Sequence, residues 1–148
     1  MEPDPTKDAV RRAWSAFATR DAAQVESAFT EDARWLPPPG NATAVAVGHD
    51  DVQELDRAAI ARFFVHEFPK LFVANVESIP RRLVAEGNVA VLETTFKAKV
   101  ANGRDYENDY CFVLEVREGR IHRMREYMDT QRGFRAMFGD EAPRCLIG

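Results

Sequence analysis

The chain is poor in the residues that build cross-linked or metal-bound proteins. Two cysteines in 148 residues, Cys111 and Cys145, make no disulfide framework and read as reduced thiols of a cytoplasmic protein. Three scattered histidines give no ligand spacing, so no metal is expected, and nothing calls for an organic cofactor. No apolar run is long enough to span a bilayer, and the acidic start MEPDPTKD is unlike a signal peptide. With no secretory signal, the sequon Asn41-Ala42-Thr43 is a chance match. The basic residues, 20 against 24 acidic for a net charge of −4, form no stripe with interleaved aromatics, which removes nucleic acid as a partner. No internal repeat or low-complexity segment divides the chain.

What is present is an ordinary globular composition with a surplus of phenylalanine. Ten Phe, three Tyr and two Trp point to an aromatic interior or pocket. The length suits one domain with a full core and no need of staples. That domain is expected to have its core at about 8–138 and a loosely held tail at 139–148.

The most informative stretch runs from Arg104 to Thr130. Two β-like runs flank the turn Arg117-Glu118-Gly119-Arg120, in which Gly119 can take the positive φ of a tight hairpin. Alternation puts Tyr106, Asn108, Tyr110, Phe112 and Leu114 on one face of the first run. In the second, His122, Met124, Glu126 and Met128 share a face, and Ile121, Arg123, Arg125, Tyr127 and Asp129 share the other. With the first-named faces inward, the hairpin makes an apolar wall carrying Asn108, Tyr110 and Glu126. A carboxylate between two methionines is costly to bury and calls for a partner or a task.

Upstream, Thr6 or Asp8 can cap a helix with Val10, Ala13, Trp14, Phe17 and Ala18 on one face. Asp21 can cap a second helix ending near Phe29. Thr30-Glu31-Asp32 breaks it, Ala33 to Leu36 reads as a short strand, and Pro37-Pro38-Pro39-Gly40 as a rigid loop. Ala44 to Val47 reads as an edge strand. A third helix runs from about Asp56 to Phe72, interrupted or ended around Pro69. Val73 to Ala85 is a strand with a bulge at Pro80, and Glu86-Gly87-Asn88 turns into a strand over Val89 to Val100. Asn102-Gly103 is a hairpin signal, and Thr130 to Phe138 a last helix. Helices followed by a meander of long strands argue α+β: a cone-shaped, strongly curved antiparallel sheet with about three helices packed over its concave face.

Several motifs together resemble the SnoaL-like proteins of the nuclear transport factor 2-like superfamily, across roughly residues 8–138. They are Asp32-Ala33 before the Pro-Gly loop, Glu86-Gly87-Asn88 followed by Glu93-Thr94, Tyr106-x-Asn108-x-Tyr110, and Gly119-Arg120-Ile121 leading to Arg125-Glu126-Tyr127-Met128-Asp129. The resemblance implies the cystatin-like cone and leaves the chemistry open, because one cone serves many reactions and also binding alone. Steroid isomerisation by the known route is not implied. The isomerase base falls on Pro37 and its oxyanion tyrosine near Ala13. Nor is epoxide hydrolysis by the limonene epoxide hydrolase set: its arginine and second aspartate fall on Thr94 and Phe96, its water-binding pair on Trp35 and Pro37. The final-strand acid survives as Glu126, in a setting similar to that of polyketide cyclases and of the PhzA/PhzB phenazine-biosynthesis proteins, in which the glutamate is a general acid/base.

These readings converge on a small-molecule acid/base enzyme of cyclase, isomerase, dehydratase or lyase type, acting on a hydrophobic carbonyl-bearing metabolite. Glu126 is its proton carrier, Tyr110 and Asn108 hold an oxygen, and His66 on the third helix is a candidate second base. Trp14, Phe17, Trp35, Phe64, Phe68, Phe96, Met124 and Met128 are the expected pocket wall. The alternative is a non-catalytic protein of the same fold that holds a hydrophobic ligand. His122, beside the turn, is expected to be exposed. Cys111 to Val116 is apolar on both faces except at Glu115, so the convex face is expected to be covered by a second copy in an isologous homodimer.

Overall fold

The computed structural model describes residues 3–148; Met1 and Glu2 of the expected 1–148 domain lie outside the described residues. Helix α1, Pro5–Thr19, is capped by neither of the expected residues: the Asp4 side chain accepts from the Lys7 N–H, with Pro5 at the first helical position. Its apolar stripe, Val10, Ala13 and Phe17, lies on the sheet. The helix is tied to two hairpin turns, Thr6 Oγ1 donating to Gly87 O at 2.7 Å and Arg12 Nη2 to Gly119 O at 2.9 Å. Asp21 caps α2, Ala22–Ser27, as its spacing predicts.

One sheet carries the domain, in the order β2-β1-β6-β5-β4-β3. The meander is β3 (Phe72–Glu86), β4 (Val89–Val100), β5 (Asp105–Arg117) and β6 (Arg120–Met128), antiparallel throughout. The expected bulge is present, the β3–β4 register shifting between Pro80 and Arg82. In the β5–β6 turn Glu118 shares the positive φ with Gly119. The remaining pairings are β1 (Phe29–Leu36), parallel to β6, and the two-residue β2 (Leu55–Asp56) against β1. Helix α2 stops at Ser27, so Thr30 to Asp32, expected to break it, lie within β1, which begins before the expected Ala33; the register to β6 shifts there, between Phe29 and Arg34.

Ala42–Ala46 is a helix, α3, and not the edge strand its β-branched residues suggest. Asn41 decides it: the buried side chain accepts from the Ala44 N–H and donates to Pro38 O, so the rigid Pro loop delivers the chain into a capped turn. The third helix is composite: α4, Arg57–Arg62, then a π-helical turn, Phe63–Glu67, then α5, Phe68–Leu71. The break precedes Pro69. Proline cannot donate and crowds the carbonyl four residues back, and the wide turn relieves this, the Phe68 N–H reaching Phe63 O.

A register shift between Glu115 and Val116 pairs Val116 with Ile121 and Glu115 with Arg123. The extra residue turns Ile121, expected outward, into the core with no exposed surface. It also leaves His122 half-buried rather than exposed, with Nδ1 beside Thr30 Oγ1 and Asp32 Oδ1. The last helix, α6 (Thr130–Phe138), lies against β5. The expected loose tail returns to α3, the Leu146 N–H donating to Ala46 O at 2.7 Å while Leu146 and Ile147 pack on the core. Among the described residues no helix is long and apolar enough to cross a membrane.

Candidate active site

The concave face of the sheet and the helices α1, α3 and α4–α5 enclose a cavity of about 270 Å³. Its wall is mostly aromatic. Phe17 stacks on Phe64 with centroids 3.8 Å apart, Trp35 lies parallel to Phe64 at 5.6 Å, and Phe68 meets Phe96 edge-on at 5.6 Å. The π-turn makes this possible, because Phe63, Phe64 and Phe68 all point inward from one short segment. Of the expected wall residues, Trp14, Phe17, Trp35, Phe64, Phe68, Phe96 and Met124 line the cavity.

Glu126 is only 7% exposed and faces this cavity from β6, opposite Phe112. Its Oε1 accepts from Trp35 Nε1 at 3.1 Å, and it makes no ion pair with any described residue. Among the described residues no enclosed side-chain polar atom lacks a partner, yet Oε2 accepts nothing, so Oε2 opens onto the cavity. Burial pushes the carboxyl up to about 7, against the opposing pull of the Trp35 bond. An acid held there gives and takes protons at neutral pH.

Tyr110 lines the same cavity, paired across the strands with Thr94 on one side and Met128 on the other. Its hydroxyl shares a 2.5 Å hydrogen bond with that of Tyr106, whose oxygen accepts from Asn108 Nδ2 at 3.5 Å. Burial, then the neighbouring Tyr106 and Glu126, push Tyr110 well above the ordinary tyrosine value, so it stays a neutral donor.

Three expected site residues lie elsewhere. Asn108 is fully buried under α6, its Nδ2 donating to Asp129 O at 3.0 Å and its Oδ1 accepting from the Asp109 N–H. Its amide holds Tyr106 and the α6 entry and is not in the wall. Met128 is drawn to the same helix: a Cβ on Gly133 would stand 3.1 Å from Met128 Cε, and glycine there lets α6 approach. His66 is exposed, turned away from the cavity by the π-turn.

The sequence reading missed three groups that the cavity contains. Glu67 lines it and pairs with His49 Nε2 at 2.5 Å, joining the end of the π-turn to the segment after α3. Glu67 stands three and four residues after Phe64 and Phe63, an acid on the apolar stripe, and that spacing was its signal. Arg20 ends α1 in the left-handed conformation and also lines the cavity. Among the described residues no group of His, Cys, Asp and Glu side chains is placed to hold a metal ion.

The family model for the SnoaL-like domain matches residues 10–124, most of the chain. The chain belongs to the SnoaL-like family. The match stops two residues before Glu126 and therefore says nothing of it. No curated protein matches the sequence. Among solved structures, the chain is similar to an NTF2-like protein of unknown function from Burkholderia pseudomallei K96243. The two are 21% identical over 91% of this chain and 98% of the other, with a TM-score of 0.75. TerC, co-crystallised with polyporic acid, is 21% identical over 90% of this chain and 98% of its own, with a TM-score of 0.72. A limonene epoxide hydrolase-like epoxide hydrolase of M. tuberculosis is 19% identical over 90% and 89%, at 0.69. At these identities the likeness establishes the NTF2-like fold, whose members include isomerases, cyclases and epoxide hydrolases.

Proposed function

We propose that this SnoaL-like protein is a general acid/base enzyme that moves a proton on a small hydrophobic carbonyl compound, as an isomerase, cyclase, dehydratase or lyase does. The observation that carries the reading is the Glu126 carboxyl, buried, free of any cation among the described residues, bonded through one oxygen to Trp35 and open through the other to an aromatic cavity. Ionised, Oε2 takes a proton from carbon α to the carbonyl; protonated, it returns that proton to another position. Tyr110 steadies the developing enolate. The Tyr106 and Tyr110 hydroxyls share one hydrogen bond, and with Tyr106 as its donor the Tyr110 proton is turned to the ligand. The position of the Arg-Glu-Tyr-Met motif supports the same assignment by resemblance.

The convex face adds a proposal about assembly. Val84, Val91 and Val113 stand in register across three strands, with Val84 48% exposed, and Tyr127 beside them is 56% exposed. Arg125 and Glu115, paired at 3.2 Å, edge this strip. A second copy of the chain covers it in an isologous dimer.

Proton exchange at the α-carbons of 2-tetralone in deuterium oxide, followed by proton NMR, tests the acid/base reading without knowledge of the natural substrate. Catalysed exchange by the protein, lost about a hundredfold or more in Glu126→Gln, is the expected result. Equal exchange by both proteins would remove Glu126 from the chemistry.

A further inference from the structure

We propose that the ligand of this cavity is a carboxylate, a two-ring-sized hydrophobic acid whose anionic group is held at the rim by the Arg20 guanidinium while its rings fill the aromatic interior. The inference deepens the acid/base reading, on which it rests for the position of the reacting end.

Arg20 is a cation set in a mostly aromatic cavity wall. It is half-buried in the cavity wall and has no acidic partner among the described residues. Burial alone acts on it, pushing its guanidinium below the ordinary arginine value, though it keeps its charge at neutral pH. Its position is fixed on three sides. Nη1 donates to Phe17 O at 2.7 Å and to Phe64 O at 3.3 Å, and the guanidinium carbon stands 4.2 Å from the centroid of Phe68. Nε and Nη2 donate to no described residue. A rigid planar fork with free N–H groups, at the edge of an apolar cavity, matches a carboxylate.

The other charges of the cavity leave this anion site open. Glu67 is engaged by His49, whose side chain is 44% exposed. Arg62, exposed on the rim, makes no ion pair with a described residue and adds a second positive group. Glu126 lies enclosed among Trp35, Phe112 and Met124, away from the exposed residues of the rim. Ligand size follows from volume: an apolar cavity of roughly 150 Å³ takes a benzene, so about 270 Å³ takes two fused rings.

The test is calorimetric titration at pH 8 with 2-naphthoate and with its neutral amide, 2-naphthamide. The wild-type protein is expected to bind the acid about tenfold more tightly than the amide, the size of a hydrogen bond gained to a charged group. Arg20→Gln is expected to abolish that preference and leave the amide affinity in place, while Arg20→Lys keeps part of it. Glu126→Gln retains the preference, so a failure of the tetralone exchange leaves this result standing. Equal affinities in the wild type, or binding of neither probe at millimolar concentration, overturn the proposal. So does a preference that persists in Arg20→Gln. If Arg20→Gln does not fold, the wild-type selectivity and its partial retention in Arg20→Lys decide the matter, and selectivity unchanged by Arg20→Lys overturns it.

Discussion

Substituting Glu126 by glutamine removes one proton and keeps nearly every contact, because the side-chain oxygen of Gln still accepts from Trp35 Nε1. Its effect on stability therefore isolates the ionisation of the buried carboxyl. Burial pushes the folded carboxyl up to about 7 from its ordinary 4.5. Below 4.5 the carboxyl is protonated in both folded and unfolded chains and contributes nothing to the pH dependence. Between those values the folded state binds the proton more tightly, so stability falls as pH rises, and above 7 the loss is complete. At about 1.4 kcal/mol for each pH unit, the loss comes to about 3–4 kcal/mol. Glutamine does not suffer it. Melting temperatures of the two proteins should agree near pH 4 and separate by roughly 6–16 °C at pH 8, the variant being the more stable. Because every other titrating group is common to both chains, the difference cancels them. A constant separation across this range, or a wild type that gains on the variant as pH rises, would mean that the Glu126 carboxyl is not raised by burial.

Trp35→Phe deletes the donor that holds the Glu126 pKa down, so the rise of the tetralone exchange rate with pH should move to a midpoint above 7, followed as a pH–rate profile. Tyr110→Phe removes one hydroxyl of the 2.5 Å pair; it should cost tenfold to a hundredfold in exchange rate but only about 1 kcal/mol in a urea melt. Gly139→Ala, far from the cavity, should cost about 1–3 kcal/mol, because φ is +60° and the new Cβ would stand 2.6 Å from Arg104 Cζ. Val113→Glu should halve the mass seen by sedimentation, from about twice 16.7 kDa to that value, and a wild type already at the lower mass contradicts the dimer.

The meander was legible because alternation, Asn102-Gly103 and Gly119 each act within a few residues; β4 and α6 have the bounds their patterns suggest. Elements set by tertiary context were not. Ala42–Ala46 is β-branched at Thr43 and Val45, and only the Asn41 side-chain bonds make it helical. Alternation counted along β6 put Ile121 outside, because a bulge cannot be read from a pattern of period two. The same limit applies to the site. Glu126 could be singled out as a carboxylate on an apolar face. Asn108, on the same face as Tyr110, reaches α6 and not the cavity, and that depends on how closely Gly133 brings the helix. His66 failed for a related reason: a π-turn shifts every later residue round the helix axis.

Acid/base chemistry in this cavity requires Glu126 to exchange a proton at neutral pH. Its side-chain carboxyl carbon can be followed by carbon-13 NMR in glutamate-labelled protein, assigned by its loss in Glu126→Gln. A midpoint near 7 is the expected result. A midpoint at or below 4.5, the value of an unburied glutamate, would make Glu126 a fixed structural anion and exclude it as the proton carrier.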